Sequence, residues 1–163
     1  MIHKKRKTIS FLLAIILLIN TIFLATALGK NNKNVYTNIN AEEAWQMLND
    51  TSNGIQIPID VRTDAEWANK HIKTPYPEYP RHHCSCAWNN ESILQKFITL
   101  YEGKEIILYC KSGVRSLQAA STLVENNFEG TIYNMVGGIT EWENKDYPTV
   151  GNRPPGSPSI NGS

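Results

Sequence analysis

The chain has 163 residues, 41% hydrophobic and 19% charged, an ordinary globular composition for one domain with enough apolar side chain to fold without staples. Its net charge of +1 hides an asymmetry. Four of the 16 basic residues, Lys4, Lys5, Arg6 and Lys7, open the chain, and the other 12 stand against 15 acidic ones, a balance of −3. A mildly acidic body with no basic stripe and no nucleic-acid motif argues against DNA or RNA as a partner.

The first segment, residues 1–28, reads as a targeting element. Its basic start precedes an apolar run from Ile9 to Leu28, and Ala25-Thr26-Ala27 is a small-x-small cleavage pattern. At about 20 residues the run is also long enough to span a bilayer, so a cleaved signal peptide and a membrane anchor through residues 9–28 both stay open. Either puts the body outside the cytoplasm, secreted or at the cell surface. The Asn-x-Ser/Thr triplets at Asn49, Asn90 and Asn161 fit that placement.

Residues 29–34 form a polar spacer and residues 35–150 the domain. The tail, 151–163, is Pro-, Gly-, Ser- and Asn-rich and cannot build a core. Within the domain, Val35–Ile39 suits a short strand. The next segment has Ala41, Ala44, Trp45 and Leu48 at helical spacing, with Asn40 and Glu43 set for a capping box. Gly54–Val61 reads as a strand and Thr63–Lys70 as a short helix. A longer helix starting at Asn90 carries Ile93, Phe97 and Leu100 on one face and ends near Gly103. The continuous apolar run Glu105–Cys110 is the kind of strand buried on both faces. An amphipathic helix from Ser116 groups Leu117, Ala120, Leu123 and Val124, and then come a strand at Thr131–Val136 and a last helix at Gly138–Lys145. Alternating strands and helices imply an α/β fold, a central parallel sheet with helices on both faces and the active site at the carboxyl ends of the strands. Cys110 lies at one of those ends.

The residues after Cys110, Lys111-Ser112-Gly113-Val114-Arg115-Ser116, suit an anion cradle at a helix N-terminus. Backbone N–H groups and the helix dipole point inward, Gly113 tolerates a positive φ, and Ser116 suits a helix cap. Lys111 and Arg115 add positive charge. Each feature favours the thiolate of Cys110, the nucleophilic form.

Three segments together resemble the rhodanese-like sulfurtransferase family: Ile59–Ile72 with its Asp-Val-Arg and His-Ile, the Cys110 loop with its helix, and Thr131–Pro148 with its Gly-Gly and Trp142. They cover about 110 residues in the right order. The resemblance implies the rhodanese-like fold and Cys110 as catalytic sulfur carrier. It implies a small sulfur donor such as thiosulfate, a thiol or cyanide-like acceptor, and no cofactor. Lys111 to Ser116 would cradle the bound sulfur, and Arg115 would help bind an anionic donor. Asp60 and Arg62 would support the site structurally, with Arg62 paired to Glu66 or Asp64. His71 would be a packed, hydrogen-bonded histidine. Related phosphatases use a larger Cys-x5-Arg loop. The Cys-x4-Arg spacing from Cys110 to Arg115 is a tighter ring, suited to a persulfide sulfur and against phosphate esters.

The stretch 73–90 departs from the family pattern. Pro75, Pro77 and Pro80 keep it irregular, so the strand that should follow is expected to be poor or missing. His82, His83, Cys84 and Cys86 crowd four ligand types into five residues, against the usual paired spacing of a metal site. In an exported protein a disulfide suits the pair better. Cys84 and Cys86 can bond each other, stay free, or resolve an oxidised Cys110 as a thiol-redox relay. A rhodanese fold serving only as a binding module is a further alternative. The four tryptophans, Trp45, Trp67, Trp88 and Trp142, read as packing residues.

Overall fold

The computed structural model describes residues 35–73 and 82–151. The N-terminal segment expected to be a targeting element, the expected spacer, the tail beyond Gly151 and the proline-rich part of the insertion lie outside these. The elements run β1 (Tyr36–Ile39), α1 (Ala41–Asn49), β2 (Gln56–Asp60), α2 (Asp64–Asn69), β3 (His71–Ile72), α3 (Glu91–Tyr101), β4 (Glu105–Tyr109), α4 (Val114–Glu125), β5 (Thr131–Met135), α5 (Gly138–Asn144) and β6 (Thr149–Val150), with short 3-10 turns at Thr51–Asn53 and Ser85–Ala87.

Four strands form a parallel sheet in the order β1-β5-β4-β2. The central strand β4 explains the layering. Its side chains alternate, and both faces are buried. Ile106 and Leu108 join Leu94, Phe97, Tyr101, Ala119, Ala120 and Leu123 from α3 and α4. Ile107 and Tyr109 join Ala41, Ala44, Leu48, Ile139 and Trp142 from α1 and α5. Two helices therefore cover each face, which is why β4 reads as an unbroken apolar run. Cys110 continues the alternation on the α3/α4 side.

Among the described residues, the pairing beyond β2 is one parallel bridge between Asp60 and His82, so β2 is nearly an edge strand there. Pro58 fits there. It shares the orientation of Asp60, whose carbonyl accepts from His83 N–H on the outer side, so its missing N–H falls away from β4. The sequence pattern misses one small element: β3 and β6 pair antiparallel as a separate two-stranded ribbon.

Local signals decide the helix starts. Asn40 and Glu43 make the expected capping box on α1, and Thr63 with Glu66 makes a second on α2. The expected face of α3 is displaced. Its buried residues are Leu94, Phe97 and Tyr101, whereas Ile93 and Leu100 are 41% and 46% exposed. Tyr101 wins over Leu100 because its ring fills the core while its hydroxyl meets His83 Nε2 at 2.9 Å. On α4 the buried face is Ser116, Ala119, Ala120 and Leu123, with Leu117 and Val124 half-buried at its edge. The tryptophans pack as expected. Trp142 and Trp88 are buried, Trp45 stacks on Tyr147, and Trp67 stacks on His71.

Phe97→Ala should cost about 3–5 kcal/mol of stability, and Leu100→Ala less than about 0.5 kcal/mol, in denaturant unfolding of the two variants. Equal losses would contradict the observed register of α3.

Candidate active site

Chain alternation puts the Cys110 side chain under α4, where the residue is 1% exposed. A buried thiolate is costly unless donors surround it, and the loop supplies them. Gly113 takes φ +90°, which turns its N–H onto Cys110 Sγ at 3.2 Å. The backbone N–H groups of Ser112 and Ser116 also serve the sulfur. The Ser116 hydroxyl lies 3.1 Å from the Gly113 carbonyl and 3.7 Å from the sulfur. Burial pushes the Cys110 thiol up, but these hydrogen bonds together outweigh it and hold the thiol below its ordinary value of 9.0.

The helix begins at Val114 with Gly113 as its N-cap residue, so Ser116 is not the cap. It sits a turn inside, where its hydroxyl serves the loop carbonyl and the sulfur instead.

The carbonyl side of the loop is fixed by the start of α5. Ile139 N–H donates to the Cys110 carbonyl at 2.8 Å, and Thr140 N–H to the Lys111 carbonyl at 3.1 Å. The Thr140 hydroxyl adds a bond to the same Lys111 oxygen at 2.8 Å. The orphan donors of one helix thus consume the carbonyls of the loop, which leaves the loop's own N–H groups facing the sulfur. So close an approach has no room for a side chain. A Cβ on Gly138, at φ +58°, would lie 2.4 Å from the Cys110 carbonyl oxygen. This gives the Gly-Gly of the closing segment a physical role that its sequence alone does not show.

Lys111, Ser112 and Val114 are exposed at the mouth of the loop. Arg115 is engaged. It donates to both carboxylate oxygens of Glu66 at 2.8 and 2.7 Å, in the bidentate geometry that suits guanidinium and carboxylate. The Arg115 bonds are the main reason that the Glu66 carboxyl falls from 4.5 to about 2, and the Thr63 backbone and hydroxyl add to it. One carboxylate therefore caps α2 and clamps it to the cysteine loop, 49 residues away.

Arg62 does not pair with Glu66 or Asp64. Two residues after Asp60 and buried with it, it wraps back onto that carboxylate, Nη2 lying 2.6 Å and Nε 2.9 Å away. Its Nη2 also donates to the Lys70 carbonyl. With Arg115 satisfying Glu66, the nearest buried negative charge for Arg62 is Asp60. Asp60 in turn faces the buried Tyr109 hydroxyl, which burial first and the Asp60 charge second push well above its ordinary value. That hydroxyl accepts from Ile72 N–H at 3.2 Å. The network ties the ends of β2, β3 and β4 together one residue before Cys110.

The crowded His/Cys stretch is divided among other partners. His82 Nε2 donates to the Arg62 carbonyl at 2.9 Å. Burial drives His83 down to about 4, so it is neutral beside Tyr101. Cys84 and Cys86 form a disulfide with each other, and Cys110 is a free thiol. Among the described residues no group of three His, Cys, Asp or Glu is arranged to hold a metal ion. His71 is packed as expected, its Nδ1 2.9 Å from the Trp67 carbonyl and its ring stacked on that indole.

A parallel sheet that delivers a buried, hydrogen-bonded cysteine to a helix N-terminus defines a class of single-cysteine α/β domains. The comparisons place the chain within it: residues 40–145 match the family model "Rhodanese-like domain", and the chain belongs to that family. A protein named Sulfurtransferase from Allochromatium vinosum is 30% identical over 112 residues, 69% of this chain and 92% of that one. Thiosulfate sulfurtransferase GlpE of Haemophilus influenzae is 27% identical, covering 69% of this chain and 93% of its own length. The solved structure of Saccharomyces cerevisiae Ygr203w, a homologue of single-domain rhodanese and of a phosphatase catalytic domain, matches with a TM-score of 0.56 at 15% identity, over 73% of this chain and 90% of that one. The last likeness concerns the fold alone.

Thr140 and Tyr109 complete the site without having been singled out from the sequence. Gly138 left its trace in the Gly-Gly pair, and Glu66, expected beside Arg62, pairs with Arg115 instead.

Two outcomes follow from this geometry. Gly138→Ala should lose most of the reactivity of Cys110 toward alkylating reagents and lower the melting temperature, because the new Cβ separates α5 from the loop. Glu66 has a depressed folded-state pKa, so its contribution to stability is full above about 4.5 and is lost as pH falls toward about 2. Glu66→Gln should flatten stability against pH in that acid window, as read by urea unfolding at stepped pH.

Proposed function

We propose that this chain is an exported sulfurtransferase that carries a sulfane sulfur on Cys110. The observation that carries the reading is the ring of N–H donors around the Cys110 sulfur, which lowers the thiol pKa against the effect of burial. The thiolate attacks the outer sulfur of a donor such as thiosulfate. The donor S–S bond breaks, sulfite leaves with its electron pair, and Cys110 becomes a persulfide. An acceptor thiolate or cyanide then attacks the terminal sulfur, and the bond to Cys110 breaks to regenerate its thiolate.

The same N–H groups that hold the thiolate suit the persulfide anion, whose charge lies one atom further out. Lys111 lends positive charge at the mouth. Arg115 acts mainly as a clamp through Glu66, with part of its field reaching Cys110. The tight Cys-x4-Arg ring favours a single sulfur over a tetrahedral phosphate. The Cys84–Cys86 bond disfavours a resolving disulfide to Cys110, and it supports export because disulfides persist in oxidising compartments. The basic and apolar N-terminal segment directs that export.

Incubating the full chain with thiosulfate should add one sulfur, about 32 Da, that a reducing agent removes. Cys110→Ser, nearly isosteric, should keep the fold and gain no sulfur. Sulfur uptake by Cys110→Ser would overturn the reading.

A further inference from the structure

The segment after the proline-rich insertion is docked beside the catalytic strand end. His83 N–H donates to the Asp60 carbonyl at 2.9 Å, and Ser85 N–H to the Val61 carbonyl at 3.2 Å. Val61 N–H in turn donates to the Tyr109 carbonyl at 3.0 Å, directly before Cys110. Val61 therefore links Ser85, through its carbonyl, to the end of the strand that leads into Cys110, through its N–H. The turn Ser85–Ala87 packs against α4, the helix that opens at the cysteine loop. Trp88, which follows it, lies in the same core cluster as Val61 and Cys110. The turn that carries Cys86 is thus held against the helix that opens at the cysteine loop.

This disulfide adds little as a staple. It closes a loop over one intervening residue, and so short a loop restrains the unfolded chain least. Backbone hydrogen bonds already hold the segment. Cys86 is exposed and Cys84 half-buried, and exposed disulfides are the ones that exchange with thiols. A redox pair in reach of solvent, next to a persulfide carrier, suggests chemistry between the two.

We propose that Cys84 and Cys86, when reduced, are an internal acceptor that discharges the Cys110 persulfide as sulfide. This inference rests on the sulfur-carrier reading of Cys110. Cys84, between the two tethered residues, attacks as thiolate on the terminal sulfur. The bond from that sulfur to Cys110 Sγ breaks, and Cys110 recovers its thiolate. Cys86 then attacks Cys84 Sγ, the Cys84–sulfur bond breaks, and the terminal sulfur leaves as sulfide with the electron pair. The Cys84–Cys86 disulfide is the product. Two thiols lose two electrons and two protons, and the sulfane sulfur gains them. An external dithiol, exchanging at the exposed Cys86, returns the pair to its reduced form. With thiosulfate as donor, the net activity is a dithiol-dependent reduction of thiosulfate to sulfite and sulfide.

The test is a single turnover. The full chain is reduced, freed of reductant and given one equivalent of thiosulfate, and released sulfide and intact mass are followed together. The expected result is one sulfide per chain, with the sulfur adduct giving way to a chain containing the Cys84–Cys86 disulfide. Cys86→Ser and Cys84→Ser should each take up the sulfur on Cys110 and release sulfide at least about tenfold more slowly. Equal release rates in the wild-type chain and both variants, or a stable adduct on the reduced wild-type chain, would overturn the inference and leave the carrier reading intact. Absence of any adduct or sulfide in all three chains would instead overturn the carrier reading, and this inference with it.

Discussion

A negative charge on a buried sulfur is the constraint around which the molecule is organised. Cys110 is almost fully out of solvent, and burial alone would keep it a neutral thiol. Backbone N–H groups of Ser112, Gly113 and Ser116 reverse that preference. Peptide groups cannot turn freely, so three donors face inward only if their neighbours' carbonyls are satisfied facing outward. The first N–H groups of α5 meet that condition by taking the Cys110 and Lys111 carbonyls. Two helix N-termini thus meet at one loop, α4 aimed at the sulfur and α5 at the loop's back. Gly113 and Gly138, both at positive φ, are the points where the backbone must bend or approach too closely for a side chain.

The rest of the sheet end serves to keep that loop still. Arg115 reaches to Glu66 and joins the loop to α2. Asp60, Arg62, the Lys70 carbonyl and Tyr109 join β2, β3 and β4 beneath it. A buried ion pair such as Asp60–Arg62 is a weak source of net stability, because desolvation offsets the attraction. Its effect here is positional: each satisfied charge fixes where one strand end lies relative to the next.

The fold was readable where one physical demand governs a segment. The run Ile106–Tyr109 is apolar because both faces of β4 are covered, and Asn40 with Glu43 signals its capping box within four residues. The reading slipped where two demands compete at one position. Hydropathy selects Ile93 and Leu100 for the core of α3, yet Tyr101 is buried because His83, 18 residues earlier, receives its hydroxyl. Ser116 looks like a cap by residue type, but Gly113 already starts the helix. Within the site, Cys110 and the loop that follows were legible from local chemistry. The partners of Arg62 and Arg115 were not, since a guanidinium's choice between Asp60, Asp64 and Glu66 depends on how α2 is placed against the loop. The pairing of Cys84 with Cys86 stood among the open alternatives, since residue spacing alone does not decide between bonding each other, staying free and reaching Cys110.

The central claim is that hydrogen bonding to the sulfur outweighs its burial. In the chain with Cys84 and Cys86 oxidised, Cys110 is the one remaining thiol of three cysteines, so its ionisation can be followed directly by thiolate absorbance as pH is raised. The account predicts a midpoint below 9.0, the ordinary value. A midpoint at or above that value would contradict it, because burial would then have prevailed over the loop's donors.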